Sequence, residues 1–260
     1  MKRMTAVFGA GLSLFLFAGV MVRADEKAAS QDKAKPAEAA ASSPDHAGSY
    51  YHYMLARRFQ ELAGINNRGD YLDRAIEEFK KAMEADPDSL FLRVELAELY
   101  FRMGRIADAV KDSEAVLAVN PDQVDAHRLL AHIYWRNLGQ TQPDQAAKES
   151  LGKAILHFEA LSRLEPKDTD NDIVLGRLYR LNNQNDKAEE AYKRILKSSP
   201  DSKAGIDGLA QLYFDHGDFD QVVDLFKKIP VEDLDTRQLG MMAYALQQGH
   251  DYDGAIANIN

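Results

Sequence analysis

The stretch LFLRVELAELYFRMGRIADAVKDSEAVLAVNP, residues 90–121, decides the reading of this chain. Leu96, Ala97 and Tyr100 recur at helical spacing and put one large, one small and one aromatic residue on a single face. Gly104 interrupts the pattern where a turn is needed. Ala109 and Val116 restore an apolar face beyond it, and Pro121 stops the second helix. Thirty-two residues therefore describe two short antiparallel helices. Neither has a stripe wide enough to be buried by the other alone, so the unit calls for neighbours.

The neighbours are present in sequence. Pro87 stands 34 residues before Pro121, and Pro166 stands 34 before Pro200. Upstream, Leu55, Ala56 and Phe59 repeat the large–small–aromatic set, followed by Ala75, Phe79 and Ala82. The run 64–69 makes this first unit longer by an extended helix end and loop. Downstream come Leu130, Ala131 and Tyr134, with Ala154, Phe158 and Leu161 in the second helix. An excess of 11 residues between Pro121 and Pro166 falls at 137–152, read as a loop insertion. Leu175, Gly176, Tyr179, Ala188, Tyr192 and Ile195 make a fourth unit. A fifth is made by Leu209, Ala210, Tyr213, Gly217, Phe219, Phe226 and Ile229, shortened by Pro230. A sixth begins near Thr236 with Met242, Ala243 and Leu246, and its second helix opens at Tyr252 and Ala255. That helix is cut off at Asn260 on an apolar stripe, which leads to the expectation that the natural chain continues.

A 34-residue helix–turn–helix unit with these small and aromatic positions resembles the tetratricopeptide (TPR) repeat. The resemblance covers most of the chain after residue 48. It implies an all-α, right-handed solenoid of stacked antiparallel helix pairs, with about five full repeats and a truncated sixth. It implies a scaffold that binds other proteins, with no catalytic residues and no cofactor of its own. It also implies a large aromatic where this chain has Ser113, and hence a looser contact at that point.

In the family the first helix of each pair forms the concave wall, and the residues one turn from the packing set face the ligand. Carried over position by position, these are Tyr50, Tyr53, Arg57 and Gln60, then Phe91, Val94, Glu98, Phe101 and Arg102. In the third repeat they are Asp125, Arg128, His132, Trp135 and Arg136. In the fourth and fifth they are Asp170, Ile173, Arg177 and Arg180, then Asp207, Gln211, Phe214 and Asp215. Arg128, Arg136, Arg177 and Arg180, with His132 beside Trp135, form a basic belt in an otherwise acidic chain. Arginine forks match carboxylates and stack on rings, so the belt fits an acidic peptide, a C-terminal carboxylate or an anionic polymer. The other reading is that these arginines pair with Asp125, Glu98 and Asp170 and hold the stack together. The lysine and asparagine set with which some TPR domains clamp a chaperone's C-terminal carboxylate is not matched, since Tyr53, Arg57, Val94 and Arg128 occupy such places.

Composition narrows the chemistry further. The net charge of −9 disfavours general binding to nucleic acid or anionic membrane surface. The absence of cysteine closes off disulfides, thiolate nucleophiles, cysteine-based zinc sites and lipid attachment at cysteine. Asp168-Thr169-Asp170-Asn171-Asp172 begins like a calcium loop, but Ile173 stands where glycine is required and Tyr179 where glutamate is. It reads as a turn and helix cap. Gly152-Lys153, followed by Ala154, is not a phosphate loop, and His127 and His132 are spaced differently from a zinc-binding helix pair. His52, His157, His216 and His250 are scattered.

Residues 1–24 read as a secretory signal: Lys2 and Arg3, an apolar run over 6–22, and Val22-Arg23-Ala24 as a cleavage site before Asp25. The apolar run is also near the length of a membrane anchor. Residues 25–47, rich in Ala, Lys, Asp and Glu with Pro36 and Pro44, read as a flexible tether that has too little apolar surface to order itself. The solenoid follows over 48–260. The expectation is a periplasmic or secreted scaffold, or one anchored to the inner membrane on its outer side, that binds a peptide or protein segment in its groove. A structural part of a cell-envelope assembly or polysaccharide-export machine, or the recruiting region of an enzyme with a catalytic domain beyond residue 260, are the alternatives.

Overall fold

A computed structural model describes residues 44–138 and 145–249; the signal reading, most of the tether and the sixth repeat's second helix lie outside these residues. Among the described residues the chain is all-helical, with eleven α-helices, one short 3-10 turn at Val231–Asp233 and no strand. The helices pair in order. They are α1 (His46–Asn66) with α2 (Asp70–Ala85), α3 (Leu90–Arg102) with α4 (Ile106–Val119), and α5 (Val124–Leu138) with α6 (Gln145–Leu164). The fourth and fifth pairs are α7 (Thr169–Leu181) with α8 (Asn185–Ser198) and α9 (Lys203–His216) with α10 (Phe219–Phe226), and α11 (Thr236–Gln248) follows.

Local chemistry sets the boundaries. Asp45 caps α1 through Gly48 N at 2.9 Å, so the helix starts three residues before the apolar pattern at Ser49. Ser89, Asp168 and Ser202 cap α3, α7 and α9 in the same way, and Asp235 with Gln238 forms a capping box on α11. Two of the tight turns inside pairs use Gly104 at φ +75° and Gly217 at φ +83°, a conformation a Cβ disfavours. Asn67 and Asn183 fill the same role in the first and fourth pairs.

The small residues act as the repeat pattern requires. Ala56, Ala97, Ala131 and Ala210 on the first helices, and Ala75, Ala109, Ala154 and Ala188 on the second, are all fully buried. They let the paired backbones approach. Tyr134, Tyr179 and Tyr213 fill the next layer, and two of their hydroxyls reach back to the preceding pair. Tyr179 donates to Glu159 at 2.5 Å, and Tyr213 to Glu189 at 2.6 Å. These phenols tie each repeat to its predecessor; burial, reinforced by the carboxylate each faces, pushes both well above the usual tyrosine range. Asp172 links three helices by accepting from Ser162 at 2.7 Å and from Arg194 at 2.7 Å. Asp168 and Asp172 of the calcium-like run are thus a cap and an ion-pair acceptor.

Two expectations change, and one is sharpened. Residues 145–151 of the presumed loop insertion are helical and extend α6 to 20 residues. Ser150 there is buried and receives Asn137 Nδ2 at 2.8 Å. The run Ala146-Ala147-Lys148-Glu149 favours helix, and α5 supplies a surface for it to cover. Val94, placed on the groove by position, is buried with Val116 and Ala126, because α5 closes over that side of α3. Ser113 sits at full burial with an Oγ that finds no hydrogen-bond partner among the described residues. An unsatisfied buried hydroxyl costs stability, so Ser113→Ala is expected to stabilise the chain by about 1 kcal/mol, checked by chemical denaturation.

Candidate functional site

Adjacent pairs stack through second helix to next first helix, but the first helices also touch one another: α3 with α5, α7 with α9, and α9 with α11. No two even-numbered helices meet as extensively among the described residues. The odd-numbered helices therefore share one side of the stack, in contact within α3–α5 and within α7–α9–α11, and the side chains one turn from their buried stripes line that wall.

At the first end of the wall, Tyr53 is half-buried and meets the rings of Phe79 at 6.1 Å and Phe91 at 5.4 Å. Arg57 bonds Glu95 on α3 at 3.2 Å. Phe101 is half-buried against the core, and the Arg136 guanidinium of α5 lies 5.9 Å from its ring. These residues join neighbouring first helices as much as they face solvent.

The four arginines of the belt separate into different roles. Arg128 grips both oxygens of Glu165 at 2.7 and 2.8 Å and also bonds Asp125 at 2.7 Å. It fastens α5 to the end of α6, and its partner across helices is Glu165, where the sequence pointed to Glu98 and Asp170. His132 keeps an exposed edge; partial desolvation of its ring, and the charge of Arg128, hold its pKa below the ordinary imidazole value. Trp135 is half-buried against the larger core, one position past Tyr134. Arg136 has its ring contact with Phe101. Arg180 reaches Asp215 at 3.3 Å. Arg177 is exposed and makes no ion pair or hydrogen bond among the described residues.

Arg177 and Arg180 border a notch of about 180 Å³ between α7 and α9. Tyr192, Ala204, Asp207, Gly208, Gln211 and Arg237 complete its lining. Asp207 is held by Arg237 and by Gln238 Nε2, the latter at 2.7 Å. Phe214 lies one turn further on and packs with Phe219 and Tyr244 at 5.8 and 5.3 Å, joining α9, α10 and α11. Sequence reasoning placed Arg177 and Arg180 together on the wall, but it gave no reason to bring Tyr192, a second-helix residue, to it.

A second feature was invisible in sequence. His127 and His157, 30 positions apart, meet at Nδ1–Nδ1 3.0 Å inside the third pair. His127 Nε2 is 2.9 Å from the Pro121 carbonyl and must donate to it. Neutral His127 therefore has a bare Nδ1 that accepts from His157 Nδ1–H. Burial, with His127 and Lys153 nearby, lowers the pKa of His157 to about 4.

Comparison with known proteins agrees with this architecture. Tetratricopeptide repeat family profiles match residues 70–133 and 175–202. Protein CTR9 homolog of Arabidopsis thaliana is 25% identical over 185 residues, covering 69% of this chain and 16% of that protein. Protein O-mannosyl-transferase TMTC1 of Homo sapiens is 26% identical over 139 residues, covering 52% of this chain and 14% of that protein. The chain thus spans about a sixth of the length of these relatives. A tetratricopeptide repeat protein from Parabacteroides merdae superposes with TM-score 0.53 at 20% identity, covering 79% of this chain and 78% of that one. The MamA protein superposes with TM-score 0.54 at 19% identity, covering 79% and 94%. At these identities the structural likeness speaks for the fold. Residues 70–133 and 175–202 match tetratricopeptide repeats, and the described residues form an all-α, TPR-like solenoid.

Proposed function

We propose that this chain is a non-catalytic scaffold whose first-helix wall holds a segment of another protein, and that it works outside the cytoplasm after export by its N-terminal signal. The observation that carries the reading is Arg177. An exposed arginine with no carboxylate partner among the described residues, in a chain of net charge −9, stands on the wall where the first helices α7, α9 and α11 lie side by side. Charge complementarity favours an acidic segment. The half-buried rings of Tyr53, Phe101, Trp135 and Phe214 supply apolar area along the same wall, and Arg57, His132, Arg136 and Arg180 supply polar orientation. The signal-like residues 1–24 support export, and the low-complexity run 25–47 supports a tethered solenoid.

The test is capture from cell-envelope extract with residues 25–260 as bait, identification by mass spectrometry, and comparison with two variants. Arg177→Glu is expected to leave helicity and melting unchanged and to lose the partner. Arg128→Glu is expected to destabilise the chain by about 1 kcal/mol, because it sets a third negative charge against Glu165 and Asp125. A partner retained by Arg177→Glu would remove the groove reading.

A further inference from the structure

The aromatic position of the second helices is Phe79, Ser113, Phe158 and Phe226 in four pairs, and Tyr192 in the fourth. Tyr192 is only 1% exposed. A buried phenol ordinarily finds a partner, yet the Tyr192 hydroxyl makes no hydrogen bond among the described residues. Two glycines account for where the hydroxyl goes. A Cβ on Gly176 would lie 2.6 Å from Tyr192 Cζ, and one on Gly208 would lie 2.5 Å from the same atom. The oxygen-bearing end of the ring is therefore threaded between α7 and α9 and forms the floor of the notch. An alanine at either position, as most first helices carry at the site of Gly176, would block that passage.

The charges around the floor are unequal. Arg237 is matched by Asp207 and Arg180 by Asp215, which leaves the Arg177 guanidinium as the net positive charge beside a phenolic donor. Burial raises the Tyr192 pKa against the opposing pull of Arg180 and Arg177, so the phenol keeps its proton and can donate it in a hydrogen bond. One net positive charge, one planar fork and one O–H donor match a single oxyanion with two acceptor oxygens. Dianionic phosphate would leave a charge unmatched and would face Asp207.

We infer that the notch between α7 and α9 is a carboxylate site, in which Arg177 and the Tyr192 hydroxyl hold one carboxylate of a bound acidic peptide. This rests on the peptide-binding reading above and gives it an anchor point. The carboxylate belongs either to an Asp or Glu side chain or to a peptide C-terminus, and the experiment separates them.

Three fluorescein-labelled hexapeptides are titrated against residues 25–260 by anisotropy: one with internal Glu residues and an amidated end, one neutral with a free carboxylate, and one neutral and amidated. In parallel, N-acetylglutamate amide and inorganic phosphate are titrated while the arginine Nε–H signals are followed by NMR. At least one carboxylate peptide is expected to bind more tightly than the neutral amide. Tyr192→Phe is expected to weaken that peptide about tenfold with melting unchanged, since the ring stays in place. Arg177→Gln should weaken it at least as much, and Lys148→Gln on exposed α6 should leave it unchanged. N-acetylglutamate amide is expected to shift the Arg177 signal and phosphate to shift it less. If all three peptides bind equally, the notch proposal falls while the groove reading stands. The proposal also falls if Tyr192→Phe binds like the parent, if phosphate outcompetes the carboxylate, or if neither peptide nor small carboxylate binds; in the last case the extract capture decides the groove reading independently.

Discussion

Gly176→Leu is expected to lower the melting temperature by about 6–12 °C, from a loss of roughly 3 kcal/mol at the upper end of what overpacking costs. The added Cβ alone falls 2.6 Å from Tyr192 Cζ, and the rest of the leucine has nowhere to go. The ring cannot swing aside, because it is closed in on the other side by Gly208 and is fully buried beside Ala188, Ala191 and Ile195. The two helices of the fourth pair, α7 and α8, must then spread apart, or the ring must press on α9. In a solenoid each repeat leans only on its neighbours, so the damage should concentrate at that interface. Hydrogen exchange should show faster opening in α7–α9 with α1–α4 little changed. The cause is checked with a double-mutant cycle: Tyr192→Ala in the Gly176→Leu background should recover part of the loss, a coupling that independent sites do not show. A melting temperature within about 2 °C of the parent would mean that the helix pair has slack which the close contact at Tyr192 denies.

Acid should weaken the fold before the carboxylates titrate. His157 is neutral in the folded chain, with its pKa lowered to about 4 by burial and by the neighbouring His127 and Lys153. In the unfolded chain it takes up a proton near the ordinary imidazole value of about 6.5. The unfolded state therefore binds more protons through this window, and stability must fall as pH drops from 6.5 toward 4, flattening only below the folded pKa. Between pH 7.5 and pH 5 the loss from this one group is about 2 kcal/mol. The hydrogen-bond pattern gives the physical reason. His127 spends its Nε2–H on the Pro121 carbonyl, and its Nδ1 accepts from His157. A second proton on either ring puts two N–H groups face to face. The Tyr134 ring stacks on His157 at 5.9 Å, and both imidazoles are buried. Urea unfolding at a series of pH values measures the slope, and His157→Leu should flatten it whatever that variant does to absolute stability. An unchanged slope in His157→Leu would assign the acid sensitivity to other groups, His132 among them.

Both effects arise from contacts that sequence periodicity does not specify. The helix pairing was legible because small and aromatic residues recur in phase with the turns: Ala97 with Ala109, Ala131 with Ala154, Gly176 with Ala188. Their burial follows from 3.6-residue geometry alone. The first helices were legible for the same reason, and the structure puts Arg177 and Arg180, both expected on the wall, at the edge of one notch. What the pattern left open was which arginine has a partner. Arg128 and Arg177 both stand on first helices, yet Arg128 meets carboxylates, Asp125 and Glu165, while Arg177 meets none among the described residues.

The sequence by itself determined the helical repeat, the pairing order, the turns at Gly104 and Gly217 and the acidic surface, because each depends on residues within one or two turns or on composition. Only the tertiary structure decided that Val94 is core, that Ser113 is left without a partner, that His127 faces His157 and that Tyr192 passes between two glycines to reach the wall. Those outcomes depend on the distance and rotation between helices, which side-chain volumes across several repeats fix together.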